Sequence, residues 1–119
     1  MGLTHIRLRL ANPARPRRTV SLKFLVDSGA LYSVVPATVL RRLAIRPHSS
    51  RTFLLADGTE ITRRIGDATF QIDDQRGASP VIFGERGDST LLGSVSLESL
   101  GMILDPMKRV LRPLPMVLG

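Results

Sequence analysis

An apolar run, Phe24-Leu25-Val26 with Leu22 before it, leads directly into Asp27, Ser28 and Gly29 in the stretch "FLVDSGALYSVVP". A carboxylate at the end of a buried strand is costly unless it is hydrogen-bonded or paired, because desolvation disfavours its charged form. Asp27 is therefore the first candidate for chemistry. An isolated Asp-Ser-Gly also makes an ordinary turn, in which Asp and Ser bond nearby backbone and Gly takes a positive dihedral. Other schemes have less to draw on. His5 and His48 are the only histidines, one on a charged strand face and one in "RPHSS", and no nucleophile-elbow context supports a Ser-His-Asp triad. Asp73-Asp74 lacks the spaced His, Cys or further carboxylates of a metal site and reads as a solvated turn, so no metal or other cofactor is expected.

The elements around Asp27 read mainly as strands. "THIRLRL" alternates, with Ile6, Leu8 and Leu10 on one side and His5, Arg7 and Arg9 on the other, the period of a half-buried strand. "ANPARPRR" reads as a loop, and "TVSLKFLVD" returns as a second strand whose end is apolar on both faces and therefore central. Pro36 suits a first helical turn, and "PATVLRRLAI" spaces Val39, Leu40 and Leu43 for a short helix. "RTFLLADGTEITRRIGDATFQI" reads as two extended segments about Asp57-Gly58, a pair that favours a two-residue type I′ hairpin turn. "DDQRG" is a turn, "ASPVIFG" a short strand and "ERGDS" a polar loop before "TLLG". In "SVSLESLGMILDP", Ser94 or Ser96 is a candidate cap, Glu98 falls in the first turn and Gly101 ends a second helix. A strand, a Pro-containing turn and an extended tail, "RVLRPLPMVL", follow.

Composition bounds the molecule. At 119 residues the chain suits one domain, residues 1–119, with an aliphatic core, since 43% of residues are apolar and only 4% aromatic. No apolar stretch approaches the ~18 residues of a membrane span, and "MGLTHIRLRL" places arginines where a signal peptide needs its apolar block. A free-standing cytoplasmic protein without membrane partners is expected, and the absence of cysteine removes disulfides and thiolate chemistry. The net charge of +7 is almost wholly arginine, Lys23 and Lys108 being the only lysines. It is spread along the chain rather than interleaved with aromatics, so a charged surface is the reading preferred over a nucleic-acid partner.

Three segments together resemble the retropepsin-like aspartic proteases, and especially their small bacterial single-domain members. "FLVDSGALYSVVP" resembles the family's apolar strand, Asp-Thr/Ser-Gly, Ala and following apolar segment. "LLADGTEI" lies at the distance expected of the family's flap, and "TLLGSVSLESLGMILDP" resembles its apolar-apolar-Gly and helix near the C-terminus. Ser94 and Val95 stand where viral members place a polar Arg-Asn or Arg-Asp pair, and the hairpin lacks the multiple glycines of some viral flaps.

The resemblance implies an all-β, retropepsin-like acid-protease barrel with one or two short helices, active as a homodimer on peptide or protein substrates. It implies that Asp27 from each of two identical subunits forms a dyad sharing one proton, with one carboxylate as general base on water. Ser28 then bonds across the two-fold, Gly29 lets backbone approach the carboxylate, and Ala30 follows at the substrate side. Asp57, Gly58 and Thr59 become the tip of a flap that pairs with an extended peptide. Two other readings stay open at this point: a dimeric peptide-binding module of the same fold without turnover, and a basic nucleic-acid-associated protein.

Overall fold

The computed structural model of the chain describes residues 4–115 and Leu118. Its elements, in chain order, are β1 (His5–Asn12), β2 (Arg15–Val26), β3 (Ser33–Pro36), α1 (Ala37–Arg42), β4 (Ser49–Leu54), β5 (Glu60–Ile72), β6 (Gln75–Gly84), β7 (Leu91–Leu92), α2 (Ser94–Ser99), β8 (Met102–Asp105) and β9 (Val110–Pro113). The alternation of "THIRLRL" becomes β1, with Leu8 and Leu10 buried and Arg7 and Arg9 exposed. In β2 the same period buries Phe24 and Val26, and this strand lies between β1 and β7 as its two-sided apolar end requires.

The expected loop "ANPARPRR" is largely strand. Only Pro13 and Ala14 separate β1 from β2, because the register shifts after Ala11↔Thr19 so that Asn12 opposes Arg15. Pro16, which has no N–H to give, falls in the stretch this bulge leaves unpaired. The Asn12 side chain closes the turn by accepting the Ala14 N–H at 2.9 Å, and it donates to the carbonyls of Leu43 and Ala44 beyond α1 at 3.1 and 3.0 Å.

Seven strands form one sheet in the order β1-β2-β7-β3-β6-β5-β4, and a further β1–β5 pairing closes six of them into a barrel. Beyond the closure, the first part of β5 pairs only with β4, so the β4–β5 hairpin projects from the body. The core is aliphatic apart from Phe24, Phe70 and Phe83, the first two with ring centroids 5.9 Å apart. Each such side chain contributes about 1.5–3 kcal/mol on burial. Helix α1 lays Val39 and Leu40 on that core, with Leu43 just beyond its end, and α2 adds Leu97 and Leu100.

Two local expectations change. The turn at Asp57-Gly58 is not a two-residue type I′ turn: Leu55 and Thr59 still pair, the Leu55 N–H reaching the Thr59 carbonyl at 2.8 Å, so Ala56–Gly58 make a three-residue connection. Type I′ needs positive φ at both central residues, and here only Gly58 has it, at 89°. Helix α2 is not capped by a serine side chain. Gly93 is its N-cap, Glu98 lies past its first turn, and Ser96 is fully buried instead.

After α2, β8 and β9 pair only with each other among the described residues, from Met102↔Pro113 to Asp105↔Val110. The first part of the tail "RVLRPLPMVL" thus folds back on its own chain, while Met116 and Val117 lie outside the described residues. No helix among the described residues is long and apolar enough to cross a membrane.

Candidate active site

Strand β7 explains where Asp27 sits. It is inserted between β2 and β3, parallel to the first through Leu25↔Leu91 and Val26↔Leu92 and antiparallel to the second through Val34↔Leu91. The connection from β2 to β3 must therefore cross the end of β7, and that crossing is Asp27–Tyr32. Backbone bonds fix it from both sides: the Asp27 N–H donates to the Leu92 carbonyl at 3.0 Å, and Ser94 and Val95 donate to the carbonyls of Ala30 and Leu31 at 2.8 and 3.1 Å.

Within the loop, the Gly29 N–H donates to Oδ1 of Asp27 at 3.0 Å and the Ala30 N–H to its carbonyl at 3.1 Å. Asp27 is half-buried, and Ser28 and Gly29 are exposed. The carboxylate at the end of an apolar strand is thus held by one backbone donor, and its second oxygen has no hydrogen-bond partner among the described residues. Ser28 points into a groove of about 300 Å³ lined also by Ser94, Leu97, Met102, Ile103 and Leu114.

Three buried serines lock this crossing from below. Ser33 Oγ accepts the Gly93 N–H at 2.9 Å and bonds Ser96 Oγ at 2.5 Å, which in turn bonds Ser79 Oγ at 2.7 Å. The network joins β3, β6 and α2 behind Asp27, and no buried side-chain nitrogen or oxygen among the described residues lacks a partner. Gly93 is required by closeness: a Cβ there would lie 2.7 Å from the Tyr32 carbonyl carbon and 2.9 Å from the Leu31 oxygen.

The seven candidate residues form two clusters. Asp27, Ser28, Gly29 and Ala30 share one loop. Asp57, Gly58 and Thr59 sit together at the exposed tip of the β4–β5 hairpin, and no hydrogen bond among the described residues joins them to the first group. Asp57 accepts the Thr59 hydroxyl at 2.6 Å and its N–H at 3.0 Å, and these bonds, the hydroxyl foremost, hold the carboxyl below its ordinary range. Leu54 and Leu55 beside the tip and Leu31 beside Ala30 are exposed, at 74%, 41% and 61%.

Sequence reasoning overlooks the residues that connect hairpin to loop. Arg51 donates to the Tyr32 hydroxyl at 2.5 Å with its guanidinium 5.4 Å from the ring centroid, and Phe53 meets that ring edge-on at 6.5 Å. Arg63 grips Asp88 through Nε at 2.8 Å and Nη2 at 3.1 Å. The one available signal was Tyr32 itself, a lone tyrosine just after the candidate loop.

A family model described as aspartyl protease matches residues 17–101, which span Asp27, the hairpin and α2. Among solved structures, the solution structure of the simian foamy virus (mac) protease matches with a TM-score of 0.51 and 22% identity, covering 78% of this chain and 92% of that one. That likeness is one of fold. No curated protein matches the chain.

Proposed function

This chain belongs to the aspartyl protease family and is an aspartic-type hydrolase, and on that premise we propose that it is an endopeptidase whose catalytic unit is a pair of Asp27 side chains, one from each of two identical subunits. The observation that carries the reading is the Asp27 loop: a half-buried carboxylate at the end of a core strand, fixed by the Gly29 amide and braced by β7, with no partner on its second oxygen among the described residues. Each chain supplies one such loop, and residues 1–119 act as one domain.

Two carboxylates brought within hydrogen-bonding distance cannot both ionise cheaply, so the pair retains one proton. The ionised member takes a proton from water as its oxygen attacks the scissile carbonyl carbon, while the protonated member gives its proton to the carbonyl oxygen. Collapse of the tetrahedral intermediate breaks the C–N bond, its hydroxyl proton returns to the dyad, and the leaving nitrogen is protonated by the carboxyl that had taken the water proton. Ser28 bonds the partner loop, the Gly29 amide holds the charge, and the Ala30 amide fixes the Asp27 main chain through its carbonyl. Asp57, Gly58 and Thr59 close over an extended peptide, with Leu31, Leu54 and Leu55 as its apolar contacts.

A second copy of the chain is further supported by apolar side chains left exposed after α2, one of them beside Ser28. The β8–β9 pair exposes Ile103 and Val110, with Met107 at 89% exposure in its turn, and Ile103 also lines the groove beside Ser28. Burial against an identical face is the common way to cover such a surface.

The deciding experiment compares Asp27→Asn with Asp57→Asn on a peptide library. The first variant should lose cleavage entirely while keeping fold and association, and the second should retain most of it. Equal, undiminished turnover in both removes Asp27 from the chemistry, whereas a native protein that binds peptides without cleaving any is a peptide-binding module.

A further inference from the structure

The β4–β5 hairpin carries one costly rung. Arg51 lies directly opposite Arg63 in the antiparallel register, which puts both guanidinium groups on the same face. Like charges in that relation are destabilising unless each finds a separate partner. Each does: one partner is on the loop that follows Asp27 and the other on the loop that precedes β7. Arg51 bonds the Tyr32 hydroxyl and stacks over its ring, on the loop that continues from Asp27 through Ala30. Arg63 makes a two-pronged ion pair with Asp88, the side chains only 15% and 23% exposed, and Nη1 lies 3.7 Å from Glu85. Paired, forked geometry of this kind, partly withdrawn from water, is among the stronger charge contacts.

Asp88 is itself rigidly placed. Its carboxylate accepts the Glu85 N–H at 2.8 Å and its own N–H donates to the Glu85 carbonyl at 2.9 Å, closing a tight turn. Just beyond, the Thr90 carbonyl accepts the Leu25 N–H at 3.0 Å, and β7 then runs beside Leu25 and Val26 into the Leu92 carbonyl that holds Asp27. On the other face of the hairpin, the Thr52 and Thr62 hydroxyls bond each other at 3.0 Å. Past the rung the tip residues 54–60 are exposed and bonded among themselves.

We propose that Arg51 and Arg63 are positioning residues that pin the base of the flap to the loop that follows Asp27 and to the loop that precedes β7, so that the flap bends above their rung rather than where the hairpin leaves the barrel. This rests on the reading of the hairpin as a flap. Without the pins, the bend would fall at Ser49↔Ile65, where Ile65 enters the core. The pins thus shorten the moving part and keep its base in register with the Asp27 loop.

Backbone NMR relaxation on the whole protein tests this independently of turnover, so its outcome stands even if peptide cleavage is never observed. In the native chain, order parameters should be near 0.85 at residues 51 and 63 and fall below about 0.6 only within 54–60. In Asp88→Asn, and in Arg51→Gln at an exposed position, the fall should extend down the hairpin to Ser49 and Ile65, furthest when both are combined. Arg63→Lys, which keeps the charge but not the fork, should lie between. A rung already mobile in the native protein, or a mobility boundary unmoved in the variants, overturns the proposal. Should Asp88→Asn fail to fold, Arg51→Gln alone decides.

Discussion

At the scale of single residues, the site depends as much on what lies behind Asp27 as on Asp27. Gly93 has backbone of Leu31 and Tyr32 where a side chain would be. A methyl there must push main chain rather than a flexible side chain, so Gly93→Ala is expected to cost about 1–3 kcal/mol or more, as overpacking does. Chemical denaturation should show the lower midpoint, and the displaced loop should depress cleavage beyond what the stability loss explains. Ser96 stands at the centre of the serine network, bonded to Ser33 and Ser79 with all three buried. Ser96→Ala strips a partner from both neighbours, and leaving buried hydroxyls short of partners costs about 1–3 kcal/mol. A double-mutant cycle with Ser79→Ala should be non-additive, because the second change removes a hydroxyl that has already lost Ser96 and keeps only the Pro80 carbonyl at 3.3 Å.

At the scale of elements, the contact between β5 and the loop before β7 makes stability depend on acid. The Arg63 guanidinium beside Asp88, aided by the Glu85 amide, holds the Asp88 carboxyl below its ordinary range. A carboxyl lowered on folding contributes stability that is fully present above its unfolded pKa, about 3.9, and is lost as pH falls through its lower folded value. The stability difference between the native chain and Asp88→Asn should therefore be constant at neutral pH and shrink only below about pH 4. Denaturation midpoints measured from neutral pH downward check this, and a difference that stays constant to the lowest pH at which the chain folds counts against the ion pair as its source.

At the scale of the whole molecule, the proposed dyad makes activity a property of two chains. Mixing native protein with a growing excess of Asp27→Asn should poison cleavage, because mixed dimers hold one carboxyl and one amide. Activity falling only in proportion to dilution would mean that each chain works alone. Sedimentation at the same concentrations should show the dimer wherever turnover is maximal. The shared proton also sets the sign of the pH profile: the rate should fall on the alkaline side as the pair loses its last proton. A rate rising steadily from about pH 5 to pH 9 at constant dimer content is incompatible with a one-proton pair.

The strands whose side chains alternate, the place of Asp27 at the end of a central one, and the family that "DSGA", "LLADGTEI" and "TLLG" together resemble were legible in the residues alone. Those signals are local: period, turn chemistry and short motifs are written in consecutive residues. That β7 threads between β2 and β3, and so makes the Asp27 loop cross over Gly93, follows only from the folded barrel. The same holds for Ser96, with Ser94 one of two candidate helix caps in the sequence and found buried between Ser33 and Ser79, since a hydroxyl bonds whatever the fold brings to it. Arg51 and Arg63 looked like surface charge. Their partners, Tyr32 and Asp88, are distant in sequence, and contacts between distant segments exist only once the barrel has closed.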